Sequence, residues 1–513
     1  MPNIESFKIY PSIGIARLGN APTDFFIGPE IPGKNAKPAG GYKDEQGRIK
    51  RQAARFRIYG YDENGLLVKE VTSADAQIKW TVHLANKKAS WKEFQGLSDN
   101  TPLRNKKEKQ RSKLIIDPGS RTLSKINSEA LFDTGKFYNT SVPLGEMRTD
   151  HDGRLFVLGG FGRSGSPKKT KMTTYANNDG WYDDVSDGPV TASIMMKGTG
   201  IEVEASASWL ICAPPDFAPG IANVLSLYDT LLQGNIDMFD YKMQEVPSFT
   251  HHIYPIIASA VKVKWVSMMM WQEHGTERSE HGTNDSEQGM GESHHESLEH
   301  ISPLILDATV RETIFSKLTN PYDPLRGDDN DMPMLWSDYY QDSIRSNGEF
   351  RNQTLCRWQY DYLKQWKNGI FINDWVEVPE PASEITPKGL DRAALENCIG
   401  GPFYPGIEAG WNLRDKYDFI EPFRLSHEKI KAGDITGQMA IPWQADFYDC
   451  QQEEGLSWWP AQRPDGVLTE EGHEMVEWTR DHVGSYMEMV KNWHRLGFVI
   501  KKGRRFIESE RSP

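Results

Sequence analysis

Residues 395–465 hold most of the side chains in this sequence that could do chemistry. Cys398 closes a helix-like stretch and opens the turn Cys-Ile-Gly-Gly-Pro. Trp458 and Trp459 open a second turn, Trp-Trp-Pro-x-x-Arg-Pro-Asp. Between and around them lie Glu408, His427, Asp434, Asp446 and Asp449, all potential acids or bases. Gly and Pro at this density hold backbone in conformations that propensity alone would leave loose. The region therefore reads as a functional site, although pattern alone does not name its reaction. A thiol-protease role for Cys398 fits poorly. The C-terminal end of a helix disfavours a thiolate, and no protease signature surrounds the residue.

Other motifs carry less. Residues 160–165 (GFGRSG) match G-x-G-x-x-G after a plausible strand. A dinucleotide fold would next require an amphipathic helix and, about 20 positions on, an acid. Ser-Pro-Lys-Lys-Thr follows instead, so a β-turn loop is the better reading, and neither NAD nor flavin is expected in this chain. The stretch 274–300 contains His274, His281, His294, His295 and His300 but is polar and Gly/Ser-rich. It reads as a solvated loop rather than a metal centre, and no metal ligands are assigned. Cys212, Cys356, Cys398 and Cys450 lie far apart with no C-x-x-C pair, which disfavours zinc ribbons, thioredoxin chemistry and a disulfide scaffold.

The elements that must position these groups change along the chain. Residues 55–60, 78–83 and 154–158 are β-rich and bounded by turn residues. Helical periodicity follows at 307–318, 350–367, 386–400 (Thr386 as cap, Pro387 first inside) and 470–495. The expected fold is α+β, with a β-rich, sandwich-like domain over 1–300 and a mainly helical, loop-rich domain over 301–513. At 513 residues the chain can bury a large core. With 38% apolar and 26% charged residues it is globular rather than disordered. A net charge of −13 argues against nucleic acid as a partner, and no apolar run is long enough to span a membrane. Without a basic, then apolar, N-terminal run there is no signal peptide to read, so a cytoplasmic location is expected.

Several long strings resemble the cysteine tryptophylquinone-dependent amino acid oxidases, the family of lysine ε-oxidase and the quinone-type glycine oxidase. They are IYPSIGIARLGN (9–20), FIGPE (26–30), RQAARF (51–56), VHLANKK (82–88), GWYDDVSDGPV (180–190), CIGGPFYPGIE (398–408) and WWP (458–460). The resemblance runs over nearly the whole chain.

It implies a quinone built from the chain itself, with Cys398 joined by a thioether to Trp458 or Trp459. Adjacent side chains on extended backbone point opposite ways, so one of the two tryptophans should reach the sulfur. It also implies a base that removes a proton from the substrate carbon, for which His427, Asp446 and Asp449 are the candidates. The substrate would be a small primary amine, as in a free amino acid, with O2 as acceptor and ammonia and hydrogen peroxide as products. An acid near the cysteine, Asp391 or Glu396, would assist cofactor formation. Arg424 and Arg463 are available to hold a substrate carboxylate. A separate flavoprotein for maturation and a homo-oligomeric state are implied as well. The alternative is a non-catalytic homologue, or an unmodified precursor lacking the quinone.

Overall fold

The computed structural model describes residues 3–94, 101–274, 301–323, 332–333, 354–375, 384–400, 413, 418–449, 459–471, 474–503 and 505–513. The His-rich stretch 275–300, Trp458 and most of 401–417 lie outside the described residues.

The strand Arg51–Tyr61 organises the first half of the chain. Its eleven residues are long enough to carry partners in succession: Ser6–Tyr10, Leu155–Leu158 and Leu67–Val71 antiparallel, and Phe25–Ile27 parallel. Ser186–Met196 plays the same part elsewhere in the sheet, pairing with Ala76–Val82, Glu202–Glu204 and Ser208–Ala213. Among the described residues these strands form one 13-stranded sheet. Its path runs from Arg121–Leu123 through Ala76–Val82, Ser186–Met196, Ser208–Ala213, Ile13–Arg17, Arg51–Tyr61, Leu155–Leu158 and Glu146–Thr149 to Glu129–Leu131. The two ends of that path meet where Arg121 Nε donates to Leu131 O at 2.7 Å. The sandwich expectation is corrected accordingly: one twisted sheet curls until its ends touch, giving a nearly closed barrel.

Alternation along the strands separates two cores. Ala16, Leu210 and Cys212 join Ile9, Phe56, Ile58 and Trp80 in one buried cluster. Ile13, Ile15, Trp209, Ile211 and Ala213 face the other way. They join a larger cluster that also holds Leu227 and Leu231, Cys398, Trp443, Phe447, Trp459 and Phe498. The helices Leu227–Phe239, Tyr254–Lys262, Ala308–Ser316, Arg357–Lys367 and Pro387–Leu395 lie beyond the sheet in sequence. The last three fall inside the stretches read as helical at 307–318, 350–367 and 386–400, the second beginning at Arg357 and the third ending at Leu395. In the last, the Thr386 hydroxyl accepts from Gly389 N and Pro387 occupies the first turn, as read.

The helix expected over 470–495 is corrected. Met475–Glu477 is a strand paired with Gly466–Leu468, and only Tyr486–Asn492 is helical before a short 3-10 turn at Trp493–Arg495. Asp481 sits at φ +64°, a left-handed turn that a continuous helix does not allow. In the glycine motif residues 160–163 form a loop, as the sequence context suggested, whereas Ser164–Gly165 form a short strand paired with Tyr182–Asp183, where more loop was expected. Asp184 Oδ2 accepts from Phe161 N and Arg163 N. Gly162, at φ +69°, leaves room for the Trp493 ring.

Two acids of the 180–190 string, Asp183 and Asp187, tie later chain to the sheet. Asp183 accepts from Lys88 Nζ at 2.7 Å, Asn86 Nδ2 at 2.9 Å and Trp443 N at 3.0 Å, and neither Lys88 nor Asp183 touches solvent. Asp187 accepts from Thr436 N at 2.8 Å, Thr436 Oγ1 at 2.6 Å and Trp209 Nε1 at 3.0 Å. Removing one partner of a buried ion pair strands the other charge, at a cost of about 3–5 kcal/mol. Lys88→Met is therefore expected to lower unfolding free energy by about that amount in a denaturant titration. Lys88→Met combined with Asp183→Asn should recover part of the loss.

Candidate active site

Cys398 lies three residues past the end of the helix Pro387–Leu395 and is buried. Its backbone is clamped from both sides. Cys398 N donates to Leu395 O at 3.1 Å, and Leu227 N donates to Cys398 O at 2.9 Å. Gly400 N then donates to Leu225 O at 3.1 Å. A Cβ on Gly400 would lie 2.0 Å from Ser226 O, so only glycine lets this segment close on the N-terminus of Leu227–Phe239. Ser226 and Asp229 cap that helix reciprocally.

The thiol meets Arg17 and the Ala394 carbonyl. Arg17 Nη2 donates to Cys398 Sγ at 3.5 Å, and the thiol donates to Ala394 O at 3.4 Å. Arg17 also donates to Asn397 O and Pro214 O, each at 3.1 Å. Trp459 is buried as well. Its ring packs against Phe447 with centroids 5.5 Å apart. Among the described residues its Nε1 has no acceptor. Its carbonyl accepts from Gln462 N at 3.2 Å, Gln462 O accepts from Phe217 N at 2.9 Å, and Gln462 Nε2 donates to Pro215 O at 3.3 Å. The cysteine segment, through Arg17, and the tryptophan segment, through Gln462, thus fasten onto the same stretch, residues 214–217. Nothing in sequence spacing announces this stretch or Arg17. Arg17 stands 381 positions from Cys398 and was visible only as part of the 9–20 string.

The other residues singled out from sequence fall in different places. Asp446 is fully buried on the helix Trp443–Asp449, one position before Phe447. Asp449 is exposed at the end of that helix and accepts from the Tyr486 hydroxyl. His427 is half-buried, its ring edge-on to Trp209 at 5.1 Å. Trp209 pairs with Ile13 and Ala213 with Arg17, so the strand position whose ring His427 packs against is four residues, about 13 Å, along the sheet from that of Arg17. Burial, helped by the Arg424 charge, pushes its imidazole down to about 4. Asp391 accepts from Ser12 N and Ser12 Oγ, and burial raises its carboxyl to about 6. Glu396 accepts from Gly33 N and Arg392 Nε. Arg424 is buried against the carbonyls of Ile9, Ser206 and Ala207 and paired with Glu421. Arg463 is buried too, donating to Phe447 O and Pro464 O.

Residues 10–212 match the family model described as L-Lysine epsilon oxidase N-terminal, and residues 338–470 match the L-lysine epsilon oxidase C-terminal domain. Together they take in more than half of the chain. L-lysine 6-oxidase of Marinomonas mediterranea is 27% identical over 664 aligned positions, covering 99% of this chain and 90% of that protein. The solved epsilon-lysine oxidase structure from the same organism superposes with a TM-score of 0.78 at 25% identity, covering 99% of this chain and 95% of that one. The crystal structure of the Schiff base intermediate of L-Lys epsilon-oxidase with L-Lys gives 0.75 at the same identity and coverage. Fold and sequence together make this chain an amino acid oxidase, an oxidoreductase. It belongs to the L-lysine ε-oxidase family.

The depressed His427 gives a measurable pH signature. Between about pH 6.5 and 4 the unfolded chain takes the proton first, so this residue's contribution to stability is lost as pH falls through that window. Asp187 and Asp391, raised to about 6 by burial, act in the opposite sense, because there the folded chain takes the proton first. A comparison of variants isolates the histidine. His427→Gln should lose less melting temperature than the parent between pH 6.5 and 4, read by scanning calorimetry.

Proposed function

We propose that this protein oxidatively deaminates the primary amine of a free amino acid through a cysteine tryptophylquinone, with O2 as acceptor and ammonia and hydrogen peroxide as products. Cys398 supplies the sulfur and Trp458 or Trp459 the ring. When formed, such a group supplies an electrophilic carbonyl that takes up the amine and two electrons. The observation that carries the reading is the convergence of the Cys398 and Trp459 segments on residues 214–217, with Cys398 Sγ and Trp459 Nε1 both buried. A thioether-linked pair needs its two halves brought together by tertiary contacts, and these residues fit that requirement.

The chain's own residues then have distinct tasks. The clamp formed by Leu227 N, Gly400 and the Arg17 guanidinium holds the sulfur in one place. Phe447, Leu395 and Ile399 belong to the same buried apolar cluster as Cys398 and Trp459. Among the three base candidates Asp446 is favoured as proton acceptor, because it is fully buried on the helix whose Phe447 packs on Trp459. Asp449 points to solvent and Tyr486, and His427 stands well along the sheet. Arg424 is committed to backbone carbonyls and Glu421, and Arg463 gives its Nε and Nη1 to the carbonyls of Phe447 and Pro464. A separate flavoprotein for maturation and a homo-oligomer complete the proposal. The L-Lys named with the Marinomonas structure makes lysine the first substrate to try.

Peptide mapping by mass spectrometry, on protein produced together with its maturation flavoprotein, tests this. The expected result is a single cross-linked species joining the Cys398 peptide to the Trp458-Trp459 peptide, with oxygen gained and hydrogen lost. Cys398→Ser should remove both the cross-link and peroxide release from amino acids. Two separate unmodified peptides in the matured parent would overturn the reading in favour of a non-catalytic homologue.

A further inference from the structure

A buried thiol past the C-terminal end of a helix is badly placed to ionise. Desolvation and the helix dipole both oppose the anion. Cys212, in the other core, shows what burial does: desolvation first, opposed by a hydrogen bond with Ser186 and helped by the charges of Asp187 and Asp184, pushes its thiol up to about 12. Cys398 has a cation beside it, the guanidinium of Arg17 at 3.5 Å.

Arg17 is held with little freedom to move away. It ends the strand Ile13–Arg17, pairs with Ala213 and Gln52, and is 4% exposed. Its other described bonds, to Asn397 O and Pro214 O, fan the guanidinium across the cysteine segment and the 214–217 stretch at once. A solvent-accessible cleft reaches Cys398, and its other charged lining residues are Glu30, Lys50, Arg55 and Asp216. Glu30 is tied to Arg55 and Arg57, and Lys50 to the carbonyls of Ala39 and Gly41. Asp216 accepts from Ala218 N. Arg17 is the cation whose described bonds include the sulfur itself.

We infer that Arg17 is a positioning residue for cofactor formation, holding Cys398 as a thiolate and aiming it at the tryptophan ring. This rests on the quinone reading above. In the net step Cys398 Sγ forms a bond to a ring carbon of the tryptophan and that carbon loses its hydrogen as a proton. Two electrons pass to an acceptor, the flavin of the maturation flavoprotein. The thiolate is the nucleophile in such a step, so its fraction at working pH sets the rate. The Ala394 carbonyl, which accepts from the neutral thiol, opposes ionisation, and Arg17 must outweigh it.

The test uses full-length protein made without the flavoprotein, alkylated with iodoacetamide over a pH series and read by peptide mapping at Cys398, with Cys212 as the internal buried reference. The parent's Cys398 profile should have its midpoint below the value of about 8.5 for an ordinary thiol. Arg17→Met should move that midpoint up by about one pH unit or more, a roughly tenfold smaller thiolate fraction at fixed pH. Arg17→Lys should restore part of the shift. With the flavoprotein co-produced, cross-link yield should follow the same order. A parent midpoint at or above about 8.5 overturns the inference whatever the variants do. So does an Arg17→Met or Arg17→Lys profile that, in folded protein, tracks the parent while the parent forms the cross-link. A low parent midpoint with no cross-link even in matured protein would sink the quinone reading and leave the Arg17–thiolate pair standing.

Discussion

The structure depends on what the buried acids of residues 183–187 hold. Asp183 lies in the interior with Lys88 as counter-ion and also accepts from Asn86, from Val185 N and from the first turn of Trp443–Asp449. Asp187 ties the 435–436 turn and Trp209 in the same way. A buried carboxylate is tolerable only when it is surrounded by donors. Each therefore forces a particular piece of distant chain to come to it, and that requirement docks the later half of the sequence on one face of the sheet. Asp184 carries the same logic to the 160–165 loop. It is fully buried with two backbone donors, and desolvation raises its carboxyl to about 7.

From that docking the site follows. The parallel pair formed by Ser208–Ala213 and Ile13–Arg17 presents alternate residues to the larger core. At one end of the pair stands Trp209 with His427 against it; at the other stands Arg17, reaching the Cys398 segment. The 214–217 stretch leaves the strand at that second end and receives both the cysteine and tryptophan segments. The candidate region thus lies at the C-terminal end of two central parallel strands, overlaid by loops, with backbone hydrogen bonds rather than long helices holding the segments. Gly400 and the capped helix Leu227–Phe239 supply the rigidity that loops lack.

Much of the element content was legible locally. Thr386 and Pro387 begin a helix because one offers a hydroxyl cap and the other a preset φ, and both effects act within one turn. The strand cores at 55–60, 78–83 and 154–158 were legible from β-rich composition between turns. The glycine motif was readable as a loop from the Ser-Pro that follows it. The reading of 470–495 as one helix went astray because a stripe of apolar residues satisfies a helix and a strand–turn–helix alike, and a backbone turn at Asp481 leaves little trace in composition.

The sequence by itself determined the family, through its long unusual strings, and singled out Cys398 and the tryptophan pair as the candidates for the proposed chemistry. It determined them because residue type and short-range spacing are local properties. Only the tertiary structure decided how the sheet closes, which carboxylate is buried and which faces water, and that Arg17 lies against Cys398. Asp446 and Asp449 sit on one helix three positions apart, yet one is sealed in the core and the other bonds Tyr486 at the surface. Burial and cross-chain contact are set by packing between segments hundreds of residues apart, for which a single chain of letters carries no distance.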